Sequence, residues 1–459
     1  MSRRNVDLGS GSVGKLLFSL AVPTITSQIV NMLYNLVDRV YIGHMQPVET
    51  VGKLALTGVG VCLPIIMVIS AFAALMAFGG APRASIAEGR GDLKESERIM
   101  GNSFTMLVAV SVVLTVVFLV FAEPMLRIFG ASDNTIGYAL NYMRIYALGT
   151  IFVQVTLGMN AYITAQGFTV VGMKTVLIGA ILNTVLDPIF IFAFGMGVRG
   201  AALATILSQA VSAVWVLKFL TGRRALLRLR WNTLRLQAAR VRRILALGTS
   251  GFVMSMTNSL VQVLCNASLQ HYGGDLYVGV MTVINSIREV VSMPVQGITN
   301  GCQPVLGYNY GAGEYERVRR GIRFTTVLTV GYSVAAWALV MAVPELLIRI
   351  FNDEPELIAA GIPAFRLYFA AFFCMSFQFI GQSVFVGLGR SRSAVFFSLL
   401  RKAILNAPLT VLLAWCMGSS GVFTAEAVSQ LVGGLACFVT MCLTVYRPLG
   451  RLAAGEGVR

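Results

Sequence analysis

GDLKESERIMGNSFT at residues 91–105 returns, altered but recognisable, as GAGEYERVRRGIRFT at 311–325. At an offset of 220, Gly91, Gly101, Phe104 and Thr105 meet Gly311, Gly321, Phe324 and Thr325. Farther along, RIF at 127–129 meets RIF at 349–351, and Arg144 and Tyr146 meet Arg366 and Tyr368, now at 222. MGVRGAALATILSQ (196–209) meets MGSSGVFTAEAVSQ (417–430) at 221. An offset that drifts so little over more than a hundred positions marks an internal duplication.

What is duplicated is membrane-spanning. The 459 residues are 56% hydrophobic and 12% charged. A helix needs about 20 apolar residues to cross the hydrocarbon, and the long unbroken apolar runs exclude the alternation of a β-barrel. Twelve such runs occur, at 15–43, 54–80, 101–122, 139–166, 173–196, 199–220, 244–271, 276–307, 321–343, 361–389, 394–417 and 421–446. The predicted fold is an all-α polytopic membrane protein. An N-terminal lobe (1–220) and a C-terminal lobe (244–459) hold six helices each, joined by a basic hinge at 221–243. An even number of spans per repeat gives both lobes one orientation, related by a pseudo-two-fold axis along the membrane normal with the transport path between them.

Orientation follows from the cations. With both termini cytoplasmic, 28 of the 36 Lys and Arg fall inside, among them Arg3, Arg4, Arg401, Lys402 and Arg459. Five fall outside: Arg39, Lys53, Arg127, Arg199 and Arg349. The net charge of +16 therefore reads as inner-face charge against anionic headgroups, and the arginine-rich 221–243 segment as a linker rather than a nucleic-acid site. The seven cysteines lie almost wholly in spans without paired spacing, so neither a disulfide framework nor a metal motif is expected. The first apolar run is too long for a cleavable signal. No GxxxxGK[ST] loop occurs, so no nucleotide chemistry and no cofactor is expected; energy must come from an ion gradient or the substrate's own.

Polar residues in span one form a stripe. Thr24, Gln28, Asn31, Asn35 and Asp38 share an arc of roughly 80° at about 100° per residue, which predicts a wet face ending in a carboxylate. In span seven, Ser255, Ser259, Gln262 and Asn266 share about 60°, and Asn266 overlays Asp38. Span five, KTVLIGAILNTVLDPIFIF, sets Asn183 and Asp187 one turn apart on one face. Pro188 follows and frees the Thr184 carbonyl. Asp38, Asp187 and Thr205 of span six all fall in the outer half of the bilayer, a candidate site for a proton or a hard cation. Glu289 in span eight and Glu426, which overlays Thr205, are pathway carboxylates or partners of Arg288, Arg366 or a helix end. His44 and His271 are interfacial. In span ten, rings beside Cys374, Met375 and Gln378 are candidates for an apolar wall against a flat cation.

The stretches LAVPTITSQIVNMLYNLVDRVYIG (20–43), NTVLDPIFIF (183–192) and above all GITNGCQPVLGYNYGAG (297–313) resemble the multidrug and toxic compound extrusion family, in its bacterial branch. The likeness covers nearly the whole chain. It implies a monomeric, multi-pass protein of the bacterial inner membrane that exports amphipathic, often cationic, compounds by alternating access, driven by H⁺ or Na⁺. It also implies coupling residues at Asp38, Asn183, Asp187 and Thr205 (the ligands of Na⁺ if sodium couples) and a bend at Pro23. Relatives with further acids in spans seven and ten are not matched, since neither span holds one here; Glu289 and Glu426 are the substitutes available. Two other readings are a lipid-linked saccharide or peptidoglycan-precursor flippase and a membrane receptor without transport. Twelve spans and buried acids argue against the first, and the near-total lack of extramembrane domains against the second.

Overall fold

The computed structural model describes residues 8–45, 51–351 and 354–454. Arg3, Arg4 and Arg459, counted toward orientation, lie outside them, as does the side chain of Lys53. No strand occurs among the described residues. Ten helices are long and apolar enough to cross a membrane, and the pair Ile136–Leu148 and Thr150–Ala165, bent by 57°, makes an eleventh span. The bend falls at Gly149, where an added Cβ would strike the Ile206 side chain. The 74-residue helix Ala238–Gly311 is interrupted at Gly274, whose φ of 66° and ψ of −165° no other residue type adopts cheaply. It is thus spans seven and eight, and the count among the described residues is twelve.

The packing is that of a membrane protein. Val112, Val113, Val116 and Val120 of Leu93–Val120 are exposed, as are Val327 and Leu339 of Tyr315–Ala342, whereas Asn102, Gln154, Asn309 and Asn406 are fully buried. Apolar surface turned outward on this scale is stable only against lipid, and the small polar groups inside then find partners among the helices.

The chain divides into two compact units. One runs from Thr26 to Gly248; the other joins Leu8–Ile25 to Thr249–Arg459. Each unit therefore keeps the beginning of the other repeat's first span. In the first unit, Gly248 of span seven lies so close to span two that a Cβ there would meet the Leu75 carbonyl oxygen. In the second, a Cβ at Gly297 of span eight would lie 2.8 Å from Ile25 Cα of span one. Pro23 is buried two residues before the crossing.

The segment read as a hinge is fastened to the first unit. Leu226 and Leu227 N–H donate to Gln166 Oε1 at 2.9 and 2.8 Å, and Arg228 N–H donates to Glu97 Oε1 at 3.0 Å. Asn102 donates to the Thr233 and Arg235 carbonyls and accepts from Gln237 N–H, and Arg240 pairs with Glu95 at 2.6 Å. In the second unit the repeat-related stretch grips residues 8–11. Asn309 donates to the Leu8 carbonyl at 2.9 Å, and Arg317 donates to the Ser10 and Gly11 carbonyls at 3.1 and 3.0 Å.

Candidate functional site

Span five (Thr169–Ala193) is α-helical to Pro188 and then turns π-helical over Ile189–Ala193. Pro188 cannot donate to the carbonyl of Thr184, and a wider turn is one way a helix absorbs such a missing bond. Just before this break, Asn183 and Asp187 are buried side by side. The Asn183 amide donates to Asp187 Oδ1 and to Thr205 Oγ1 of span six, both at 3.3 Å. Thr205 in turn donates to the Ala201 carbonyl at 3.0 Å. From span one, the Asp38 carboxyl lies close enough to Asp187 for the two to interact electrostatically, and Tyr34 stands beside Thr205. Five residues from three spans thus converge in the first unit.

The cluster has oxygens to spare. Asp38 Oδ1, Asn183 Oδ1 and Asp187 Oδ2 are buried without a hydrogen-bond partner. No Lys or Arg among the described residues forms an ion pair with either aspartate. Buried oxygens left this way are costly unless something fills the gap between them. A carboxylate pair, an amide oxygen and a hydroxyl are the donor set of a hard monovalent cation, or of a proton.

The rest of the span-one stripe lies on the same helix: Gln28 is half-buried, Asn31 and Asn35 are exposed, and Asn35 donates to the Asn31 carbonyl at 2.8 Å. Thr24 is tied to the Leu20 carbonyl at 2.7 Å. In span seven, Gln262 donates to Asn266 at 3.1 Å. His44 turns back to the Val40 carbonyl, and His271 sits edge-on to Tyr272.

Span-ten and span-eight candidates scatter within the second unit. Met375 is packed in the apolar core with Phe365, Phe369 and Phe372. Gln378 is buried and donates to the Phe397 carbonyl at 3.1 Å. Glu289 is exposed on its helix.

Glu426 is different. Its partner is neither Arg366 nor a helix end: it accepts from Arg401 at 3.2 Å and from Lys402 at 3.0 Å. Gln430 donates to it at 3.1 Å and Asn406 also donates to it. Arg401 and Lys402, assigned above to the cytoplasmic face, are instead buried in span eleven (Ser391–Met417), because the Glu426 carboxylate supplies the charge that water would. Beside them Arg288 borders a cavity of about 100 Å³ that Gln262, Lys402 and Glu426 also line. The sequence pointed to Glu426 and to Arg288 beside it but not to Arg401, Lys402 or Asn406, although AILN at 180–183, which ends on Asn183, recurs at 403–406 and ends on Asn406.

The model of one protein family, MatE, matches residues 23–189 and 251–412. The chain belongs to the MatE family. The match covers Asp38, Asn183 and Asp187 and stops short of Thr205 and Glu426. Among MatE relatives is the "Multidrug export protein MepA" of Staphylococcus haemolyticus, 21% identical over 433 residues and spanning 94% of each chain. The protein of that name in Staphylococcus aureus is also 21% identical, over 432 residues. The MATE crystal structure in complex with MaL6 superposes with a TM-score of 0.89 at 22% identity, covering 97% of this chain and 98% of that one. An outward-facing multidrug resistance MATE transporter of the MOP superfamily gives 0.89 at 21%, with the same coverage. These likenesses give the fold of this MatE chain: a multi-pass membrane protein of twelve helices in two six-helix lobes.

Proposed function

We propose that this chain is a cation-coupled antiporter of the bacterial inner membrane, both termini cytoplasmic. It exports amphipathic, often cationic, small molecules by alternating access while H⁺ or Na⁺ flows inward. The names carried by its relatives support export of this kind. The observation that carries the coupling is the trio of buried, unpartnered oxygens on Asp38, Asn183 and Asp187. Two carboxylates held together away from water repel by about 4 kcal/mol at about 4 Å and an effective dielectric near 20. A proton or cation between them removes that repulsion, so occupancy of the site and its geometry change together. Thr205 and Asn183 supply neutral oxygens, and the stripe from Gln28 to Asn35 gives the ion a wet approach.

The test is dye transport into inverted vesicles under separately imposed pH and Na⁺ gradients. Asp38→Asn and Asp187→Asn, each at wild-type expression, are expected to lose accumulation of dye against its gradient. The gradient that drives the wild type identifies the ion. Accumulation retained by both variants would overturn the assignment.

A further inference from the structure

The second unit holds a charged cavity that the coupling reading leaves without a role. Three cations, Arg288, Arg401 and Lys402, are gathered about one carboxylate, Glu426, so the group carries an excess of two positive charges. Glu289, the other acid nearby, is exposed on the helix that bears Arg288; it acts on Arg288 electrostatically, but no hydrogen bond or ion pair joins the two. Arg401 and Lys402 are both committed to Glu426. Arg288 has neither a hydrogen bond nor an ion pair among the described residues, and its Nε is buried and unpartnered. The cavity of about 100 Å³ is bordered by Arg288, Lys402, Glu426, Tyr368, Asn258 and Asn285. About 10–15 Å³ of such space holds one water, so there is room for a small polar group and the first atoms of its carrier, and far too little for a whole amphiphile.

We propose that this cavity receives the carboxylate of an amphiphilic substrate, so that acid-bearing and zwitterionic compounds are preferred over their esters. A guanidinium with its donors free matches the two oxygens of a carboxylate in a fork, and the excess charge rewards a monoanion. The Asn258 and Asn285 amides are further donors. Glu426, lining the same space, repels a dianion and so favours a carboxylate over a phosphate. The inference rests on the export reading for the source of its ligand, and not on the ion site.

The test uses the full-length purified chain and two dyes that differ only at the acid: rhodamine B, with a free carboxylate, and its ethyl ester. The wild type is expected to bind the acid at least about tenfold more tightly than the ester, the scale of one charge-assisted pair. In Arg288→Gln the ratio is expected to fall to within about twofold of unity. Glu426→Gln, which frees two cations, is expected to raise it, and this opposite shift separates recognition from general damage. A wild-type ratio near one, or a ratio unmoved in Arg288→Gln, overturns the proposal. So does loss of the acid's advantage to short-chain phosphatidylglycerol but not to its phosphatidylcholine analogue, which would make a lipid headgroup the occupant. Ion-driven export of the ester in vesicles reads the transport proposal separately, so either can fail alone.

Discussion

One sequence, AILN, builds a buried cluster in each unit, and the two clusters treat charge in opposite ways. In the first, Asn183 donates to Asp187 four residues on and to Thr205 of the next span. In the second, Asn406 accepts from Thr410 four residues on and donates to Glu426 of the next span. Acid and hydroxyl have changed places between the two helices. The first cluster leaves its acids without a cation; the second surrounds its acid with Arg401, Lys402 and Arg288. Duplicated helix geometry thus sets where polar groups converge, and a few neighbouring side chains decide whether the acids there lack a cation or already hold one.

The sharpest way to break this contrast is to neutralise each acid in turn. Asp187→Asn is expected to abolish coupled efflux, the largest effect in the molecule, while leaving the fold as stable as before or more so, because it removes a buried charge that has no cation. Glu426→Gln is expected to do the reverse. It strands two buried cations, which costs about 3–5 kcal/mol, read as a fall in thermal unfolding temperature in detergent. Equal stability losses in the two variants would mean that the clusters are alike after all.

The first cluster was legible in the sequence because its signal is local. Asn183 and Asp187 are one turn apart, Pro188 marks the broken ladder, and the stripe ending at Asp38 repeats at helical spacing. The second was not, because Arg401 and Lys402 look like the cations that mark a cytoplasmic loop. Counting Lys and Arg for orientation treats each as bound by water, and a cation neutralised by Glu426 from another span escapes that count. The spans themselves could be read from apolar runs, down to the interruption near Gly274. The crossing of each first span from one unit to the other could not, since it depends on which glycines let two backbones touch.

Those glycines offer a second comparison of the two units. Gly297→Val is expected to cost about 1–3 kcal/mol through overpacking against Ile25, and Gly248→Val a similar amount against the Leu75 carbonyl. Neither glycine has a positive φ, so the cost is one of contact alone. Gly297→Ala should then lose less than Gly297→Val, in proportion to the volume added. An equal loss from both substitutions would point instead to backbone strain.

The smallest effects concern the two grips on the chain leading into spans one and seven, and they reuse the duplication with inverted polarity. Glu97 and Arg317 occupy matching positions at the 220 offset. Glu97 accepts from the Arg228 N–H, whereas Arg317 donates to the Ser10 and Gly11 carbonyls. The groups released by Glu97→Gln or Arg317→Gln can turn to water, so each should cost only about 1 kcal/mol, too little to judge from global unfolding alone. Amide hydrogen exchange resolves it: Arg317→Gln should speed exchange at residues 8–14 and leave 226–237 protected, and Glu97→Gln should do the opposite. Because an exchange rate follows the local opening equilibrium, about 1 kcal/mol appears as roughly a fivefold faster rate in the released segment. Acceleration of both segments by either substitution would show that the grips open together, and the two units would then answer to one switch rather than to two independent clamps.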